Sequence, residues 1–545
     1  MVWFFRLMFA CCGLMWLASV PAVAQESASA DPSVRQQQSG PDKSTEAEVK
    51  SDADRSSADS KGGAGSADES ETVVRDDVVK IDGTAVSYRA KAGYLRLKSD
   101  KGEERAKVFY TAYHRRGDVK SASRPITFCF NGGPGSASVW LHMGMLGPKR
   151  VVLPDPTEPS APPFESRANA YSLLDVTDLV FVDPVGTGYS KPADPKKGKE
   201  FYGLSQDLQS VSEFIQLYVT KFNRWGSPKF LLGESYGTTR VAGVSKRLQD
   251  RYRMEVNGLV LVSSVLDFRT IVFGDTNDLP FVLFLPSYTA TAWYHGKLAE
   301  DLQGDLRHAL REARRFALND YATALLKGAE LSEAKRDSIA IQYARLTGLS
   351  KEYVLENNLR VSTSRFAKEL LDGRDETVGR FDSRYTGIAR DPADDRYAFD
   401  ASASALFGPF TASVYDYFRN ELGLRRDQPY EVLASLDWDW GRENGFVETV
   451  TSLSDAMIRN QSLQVFVANG YYDLATPYLA TEYTFAHLRP YRLRSRVTMK
   501  YYEAGHMMYI HEPSLQKLRG DLLDFYRSTL EGGSGGVEPG SSATR

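Results

Sequence analysis

The segment Lys229-Phe-Leu-Leu-Gly233-Glu234-Ser235-Tyr236-Gly237-Thr238-Thr239-Arg240 constrains this chain more than any other. An apolar run that predicts a strand, Phe230 to Leu232, ends in Gly-x-Ser-x-Gly, and the residues that follow, Thr238 to Arg251, carry a helical pattern. A strand that turns directly into a helix forces its central residue into a strained conformation, and glycine on either side avoids steric contact. Ser235 is then expected to project alone above a sheet, at a helix N-terminus that favours developing negative charge. The plain alternative is a structural turn whose serine does no chemistry.

A strand of this kind needs a sheet around it. Ile126 to Phe130, Leu179 to Val182, Phe230 to Leu232, Leu259 to Val262 and Leu463 to Val467 are apolar stretches that alternate with helical periodicity. The clearest helix puts Leu204, Leu208, Val211, Ile215, Tyr218, Val219 and Phe222 on one face. Continuous apolar strands separated by amphipathic helices predict a parallel sheet covered on both faces. Upstream, Val78 to Ile81 and Thr84 to Tyr88 flank Asp82-Gly83, a hairpin signal, and Gly93 to Leu97 and Ala106 to Tyr113 flank a turn at Asp100-Lys101-Gly102. The fold class expected is α/β, a mixed but mainly parallel sheet. At 545 residues the chain has room for one or two domains. The strand–helix rhythm stops over residues 269–450, a mostly helical stretch (Leu298 to Leu326, Ser332 to Leu346) studded with Phe281, Phe284, Tyr288, Trp293 and Tyr294. It reads as a cap inserted between the two parts of the core, 76–268 and 451–530; an independent second domain is the alternative. Its aromatic residues would form its own core or line a pocket for an apolar side chain.

Composition removes other classes. With 67 basic against 70 acidic groups the net charge is −3, which offers no basic excess to neutralise phosphates and speaks against a nucleic-acid partner. Residues 1–24 read as a signal peptide: Arg6, the apolar run Leu7 to Val20, then Ala22-Val23-Ala24 before Gln25. The run is short of the ~20 residues of a spanning helix, so cleavage and no stable membrane insertion are expected, against an uncleaved anchor. Cleavage would remove Cys11 and Cys12 and leave Cys129 alone, so export without an internal disulfide suits a bacterial periplasm or exterior. Residues 25–75 and 531–545 are polar, Ser-, Ala-, Asp- and Gly-rich material expected to be disordered.

A serine hydroxyl needs a base, and the base an orienting acid. In α/β-hydrolase sheets these follow in the order Ser, acid, His, after late strands. Val465-Phe-Val-Ala-Asn-Gly-Tyr-Tyr-Asp473 and Val497-Thr-Met-Lys-Tyr-Tyr-Glu-Ala-Gly505-His506 fit both places. Asp473 and His506 are therefore the candidates, with Asp267 as the rival acid, while His487 and His511 fall in helix-like stretches. The intermediate's oxyanion needs two N–H donors. Tyr236 supplies one expected donor, and Gly133, in Asn131-Gly132-Gly133-Pro134-Gly135-Ser136-Ala137-Ser138, supplies the other; no Gly-Lys-Ser/Thr follows to make that loop a phosphate cradle. No His/Cys cluster has zinc spacing, and Asp391-Pro-Ala-Asp394-Asp395 reads as a solvated loop, so neither metal nor cofactor is expected. Cys129 reads as a buried apolar filler.

Taken together, the Asn131–Ser138 loop, Val182-Asp-Pro-Val-Gly-Thr-Gly-Tyr-Ser190, Gly-Glu-Ser235-Tyr-Gly, the Asp473 turn and Gly-His506-Met resemble the serine carboxypeptidases, peptidase family S10, over Ile126 to Arg269 and Leu463 to Leu530. The resemblance implies an α/β-hydrolase fold and an acyl-enzyme route that releases C-terminal residues from a peptide with a free C-terminus. It also implies that Asn131 and Glu234 bind the terminal carboxylate, which requires a protonated Glu234. Members usually pair that Glu with a second acid, and the corresponding position here holds Met145. Losing the pair removes a like-charge repulsion that raises the Glu pKa. An esterase, acyltransferase or aminopeptidase on this scaffold would differ only in the pocket; a non-catalytic binding protein that kept the fold is a separate alternative, against which the intact triad argues.

Overall fold

A computed structural model describes residues 72–117, 123–156, 158, 161–390, 399–441 and 445–532. The expected signal peptide, nearly all of the leader, the 391–395 loop and the last thirteen residues of the chain, 533–545, lie outside them.

Nine strands form the path of a ten-stranded sheet: β1 (Val73–Ile81), β2 (Thr84–Lys98), β3 (Glu104–Arg115), β4 (Ile126–Phe130), β5 (Asp178–Val182), β6 (Lys229–Glu234), β7 (Gly258–Val262), β8 (Gln464–Gly470) and β9 (Val497–Tyr502). Their order is β1-β2-β3-β5-β4-β6-β7-β8-β9, and a two-residue strand, Lys191–Pro192, pairs with β3. The β1–β2–β3–β5 pairs are antiparallel and every later pair is parallel. The first strand begins at Val73, three residues before the core boundary the sequence suggests. The stretches Thr84 to Tyr88 and Gly93 to Leu97 are one continuous strand, β2.

Alternate residues of the central strands feed two apolar layers. Leu231, Leu259, Leu261, Val465 and Val467 point to the layer covered by α1 (Leu204–Lys221), α2 (Tyr236–Tyr252) and, later in the chain, Val450–Arg459. Phe230, Leu232, Val260, Phe466 and Ala468 point to the opposite layer, covered by the C-terminal helix Glu512–Gly532 and by the buried π-helical turn Leu141–Leu146. Cys129 lies in this second layer, and burial pushes its thiol pKa up.

Between β7 and β8 no described residue joins the large sheet. The interval holds α3 (Leu279–Tyr294), α4 (Leu306–Phe316), α5 (Glu333–Thr347) and α6 (Ala401–Asp416), with shorter helical turns and a two-stranded ribbon, Glu376–Val378 with Thr386–Ile388. Helices α3, α4 and α5 share their own apolar core, which contains Phe281, Phe284 and Tyr288 and also takes in Tyr471, Tyr472 and Leu474 from the loop after β8. Helix α6 instead packs Leu406, Phe410 and Val414 into the sheet's own layer.

Candidate active site

Ser235 sits between β6 and α2 with φ 57° and ψ −129°, a region that costs a non-glycine residue about 1–3 kcal/mol. The flanking glycines are dictated by space. A Cβ on Gly233 would lie 2.2 Å from the Gly237 carbonyl oxygen, and one on Gly237 would lie 2.4 Å from the Phe130 carbonyl oxygen. Any side chain at either position would push the turn off the ends of β6 and β4.

His506 follows β9 and Asp473 follows β8. His506 Nδ1 lies 2.8 Å from Asp473 Oδ2, and both residues are buried. Asp473 is held in turn by the backbone N–H groups of Ala475 and Thr476, at 2.7 and 2.8 Å, and by the Thr476 hydroxyl at 2.8 Å. Burial opposes charge on the imidazole, but the Asp473 carboxylate outweighs it, and the His506 pKa is raised. Ser235, His506 and Thr476 line one cavity of about 650 Å3; among the described residues no hydrogen bond joins Ser235 Oγ to the imidazole. Asp267, the rival acid, caps a short helical turn through the Arg269 N–H and pairs with the Arg269 guanidinium. His487 and His511 bond to Tyr483 and Ser514 at helix ends.

The Gly-rich loop after β4 crosses directly over Ser235. A Cβ on Gly132 would lie 2.6 Å from the Tyr236 nitrogen and 2.8 Å from Ser235 Cβ. Gly133, at φ +100°, and Tyr236 line the same cavity as Ser235. Three contacts fix this loop. The Asn131 carbonyl accepts from Arg240 Nη1 at 2.6 Å, and Arg240 is paired with Asp207 on α1 at 2.8 Å, all three buried. Asn131 Oδ1 accepts from the Leu141 N–H. Asp183 accepts the Ser138 N–H at 2.9 Å, and burial raises the Asp183 pKa to about 7. This explains Val182-Asp-Pro-Val-Gly-Thr-Gly: a Cβ on Gly188 would fall 1.9 Å from Asp183 Oδ2.

Glu234 is buried at the end of β6, and Tyr509 donates its hydroxyl to Glu234 Oε2 at 2.6 Å. Burial pushes the Glu234 pKa up to about 7, against the lowering influence of His506, Tyr509 and the Asn131 side chain. Loss of the second acid therefore does not return this carboxyl to the ordinary range: burial, helped by the nearby Asp473 charge, keeps it raised. Met145 is buried in the apolar layer and is not among the cavity's lining residues. The group in contact with Glu234 is Tyr509, which sequence reasoning missed. Its signal was available in its place, three residues after His506 on the same loop.

The aromatic cluster of the inserted segment takes the first of its two expected roles: Phe281, Phe284 and Tyr288 lie in the segment's own core, with Trp293 and Tyr294 packed against it. The aromatic lining of the cavity is instead Trp140, Tyr236, Phe268, Phe381, Phe407 and Trp440. The segment 380–384 forms a back wall. The Phe381 carbonyl accepts the His506 N–H at 2.6 Å, Asp382 accepts the Gly505 N–H at 3.1 Å, and the Arg380 carbonyl accepts the Leu474 N–H at 3.1 Å. A second strap, Tyr430 to Ala434, bonds Ala137 and Gly135 of the Gly-rich loop and Gly188.

Comparison with known proteins agrees with this architecture. The sequence model of the serine carboxypeptidase family matches residues 80–369. Serine carboxypeptidase-like 27 of Arabidopsis thaliana is 22% identical over 350 residues, 63% of this chain and 69% of the relative. The pheromone-processing carboxypeptidase KEX1 of Saccharomyces cerevisiae is 28% identical over 156 residues, 27% of this chain and 20% of its own length. The crystal structure of that prohormone-processing carboxypeptidase superposes with a TM-score of 0.50 at 15% identity, covering 85% of this chain and 96% of the other, and shares its fold. With the family match extending over more than half of its length, the chain belongs to the serine carboxypeptidase family, peptidase family S10, and is a serine-type carboxypeptidase on an α/β-hydrolase fold.

Proposed function

We propose that Ser235, His506 and Asp473 act as the catalytic triad, that the backbone N–H groups of Gly133 and Tyr236 form the oxyanion hole, and that Asn131 and Glu234 bind the substrate's terminal carboxylate. The observation that carries this reading is the buried 2.8 Å pair of His506 and Asp473 facing the cavity into which the strained Ser235 projects. Ser235 Oγ attacks the carbonyl carbon of the last peptide bond as His506 Nε2 takes its proton. The tetrahedral oxyanion is held by the two N–H groups. Collapse breaks the C–N bond, His506 passes the proton to the leaving amine, and the C-terminal amino acid departs. Water, deprotonated by His506, then releases the acyl group from Ser235. Asp473 keeps the imidazole in the tautomer with Nε2 free for this exchange.

A protonated Glu234 donates its O–H to the substrate carboxylate, an arrangement supported up to neutral pH by its raised pKa. With Tyr509 donating to Oε2, the acid proton is directed to Oε1. The N-terminal pattern supports an exported enzyme, periplasmic or extracellular, and N-terminal sequencing of the mature protein that began at Met1 would refute it. The functional test uses N-blocked dipeptides with a free or an amidated C-terminus. Strong preference for the free acid, abolished together with fluorophosphonate labelling in Ser235→Ala, is the expected result. Equal rates would favour an esterase or general peptidase.

A further inference from the structure

Arg380 is the only Lys or Arg among the described residues that line the catalytic cavity. It belongs to the back wall between the two strands of the short ribbon, and its position is fixed through its backbone. Its N–H donates to Asp400 Oδ1 at 3.0 Å, and its carbonyl accepts from Leu474, next to Asp473. Its guanidinium carbon lies 5.6 Å from the centroid of the Phe381 ring, and that ring's centroid lies 5.3 Å from that of His506. Among the described residues the guanidinium takes part in no ion pair and no side-chain hydrogen bond; the Phe381 face is its contact.

A cation at the wall of a largely apolar cavity, whose side-chain donors have no partner among the described residues, is suited to receive an anion. The neighbouring acids are engaged elsewhere. Glu234, the acid among the cavity's described lining residues, is bonded to Tyr509, and Asp473, behind His506, is held by His506, Thr476 and two backbone N–H groups. We infer that Arg380 receives a carboxylate of the peptide substrate, supplied either by an acidic side chain beside the scissile bond or by the terminal α-carboxylate. The enzyme's substrate class is thereby narrowed to peptides that bring negative charge to the His506 side of the cavity. This rests on the proposed catalytic reading and adds the charge selection that Glu234, a neutral donor when protonated, does not provide.

The test compares kcat/KM of the wild-type enzyme, Arg380→Gln and Arg380→Lys on N-blocked dipeptides that differ as Glu against Gln at either residue, each as free acid and as amide. If acidic side chains are the ligand, the Glu/Gln ratio exceeds one in the wild type. It then falls about tenfold in Arg380→Gln, the scale of one charged hydrogen bond, with partial retention in Arg380→Lys. If the α-carboxylate is the ligand, the free-acid/amide ratio falls instead and the Glu/Gln ratio stays constant. Ratios that all stay constant in Arg380→Gln overturn the inference, as does a uniform loss across all substrates. Fluorophosphonate labelling of Ser235 in the variant confirms an assembled site. Absence of turnover by the wild type on every peptide is a failure of the carboxypeptidase reading itself and is distinguished by that pattern.

Discussion

The sheet and the 268–449 segment meet at the same cavity, but they build it from different parts of their residues. The sheet delivers side chains: Ser235, Asp473 and His506 stand on the loops that leave β6, β8 and β9. The intervening segment delivers mainly backbone and apolar surface: the Phe381 and Arg380 carbonyls behind His506 and Leu474, the Tyr430–Ala434 strap over the Gly-rich loop, and Phe268, Phe407 and Trp440 on the walls. The lesson is that the segment between β7 and β8 is more than a cover. It bonds the loops that carry Asp473 and His506 to one another through residues 380–382.

Each half can be attacked separately. The largest effect belongs to the sheet. Ser235→Ala should lower kcat by 10^4-fold or more with little change in the unfolding midpoint, because the nucleophile's chemistry is lost and no packing is. A loss under tenfold would remove Ser235 from the mechanism. The next tests the back wall. In Gly505→Ala, a Cβ would lie 2.5 Å from both the Phe381 carbonyl oxygen and Asp382 Cα, so the wall must separate from His506. A loss of about 100-fold in kcat/KM is expected, as for displacement of a catalytic group by about 1 Å, with about 1–3 kcal/mol of stability lost in urea melts. Unchanged kinetics would show that the base loop needs no support from 380–384.

The third prediction concerns Glu234. Its pKa is about 7 in the folded chain, above the ordinary value of 4.5. The folded state thus keeps a proton that the unfolded state has released between those values. Its contribution to stability is fully present below about pH 4.5 and is lost as pH rises through about 7, on the order of 3 kcal/mol in all. Glu234→Gln lacks this dependence, so urea melts should show the variant gaining on the wild type across that window. In kinetics, KM for free-acid peptides should rise about tenfold per pH unit above 7 in the wild type, a limb that is flat in Glu234→Gln. Parallel pH profiles for the two enzymes would contradict the assignment.

The smallest effect is that of Tyr509→Phe. Removing a donor that favours the ionised carboxylate raises the Glu234 pKa further, so the same limb should move to higher pH. Free-acid over amide preference should fall by about 3- to 10-fold as Oε2 loses its anchor. A limb that moves to lower pH would show that Tyr509 does not donate to Glu234.

The contrast between the two regions also explains what the sequence could tell. The strands of the sheet's middle are continuous apolar runs, because both faces are covered, and helix α1 carries its apolar stripe at 3.6-residue spacing; such patterns survive in one dimension. The Ser235 turn was legible because its strand, Gly-x-Ser-x-Gly and helix follow one another directly in the chain, even though Gly237 also answers the distant Phe130 carbonyl. Arg240, Asp207 and Tyr509 were not, because their roles depend on pairings across 109, 33 and 275 residues of chain. The 380–384 wall acts largely through the Arg380 and Phe381 carbonyl oxygens, which every residue type possesses, and its one side-chain bond, Asp382 to Gly505, spans 123 residues. The aromatics that do line the cavity were hidden for a related reason. Phe281, Phe284 and Tyr288 are densely clustered, as an α-helical core is, whereas Phe381, Phe407 and Trp440 reach the cavity from separate places in the chain, Phe407 from helix α6.

The position of the base along the chain has a consequence for biosynthesis. His506 follows the outermost strand of the parallel run, and that strand pairs only with β8. Under the proposed triad, a nascent chain that has yet to receive this region would hold the Ser235 turn without its base, so hydrolytic competence would await the docking of the final strand.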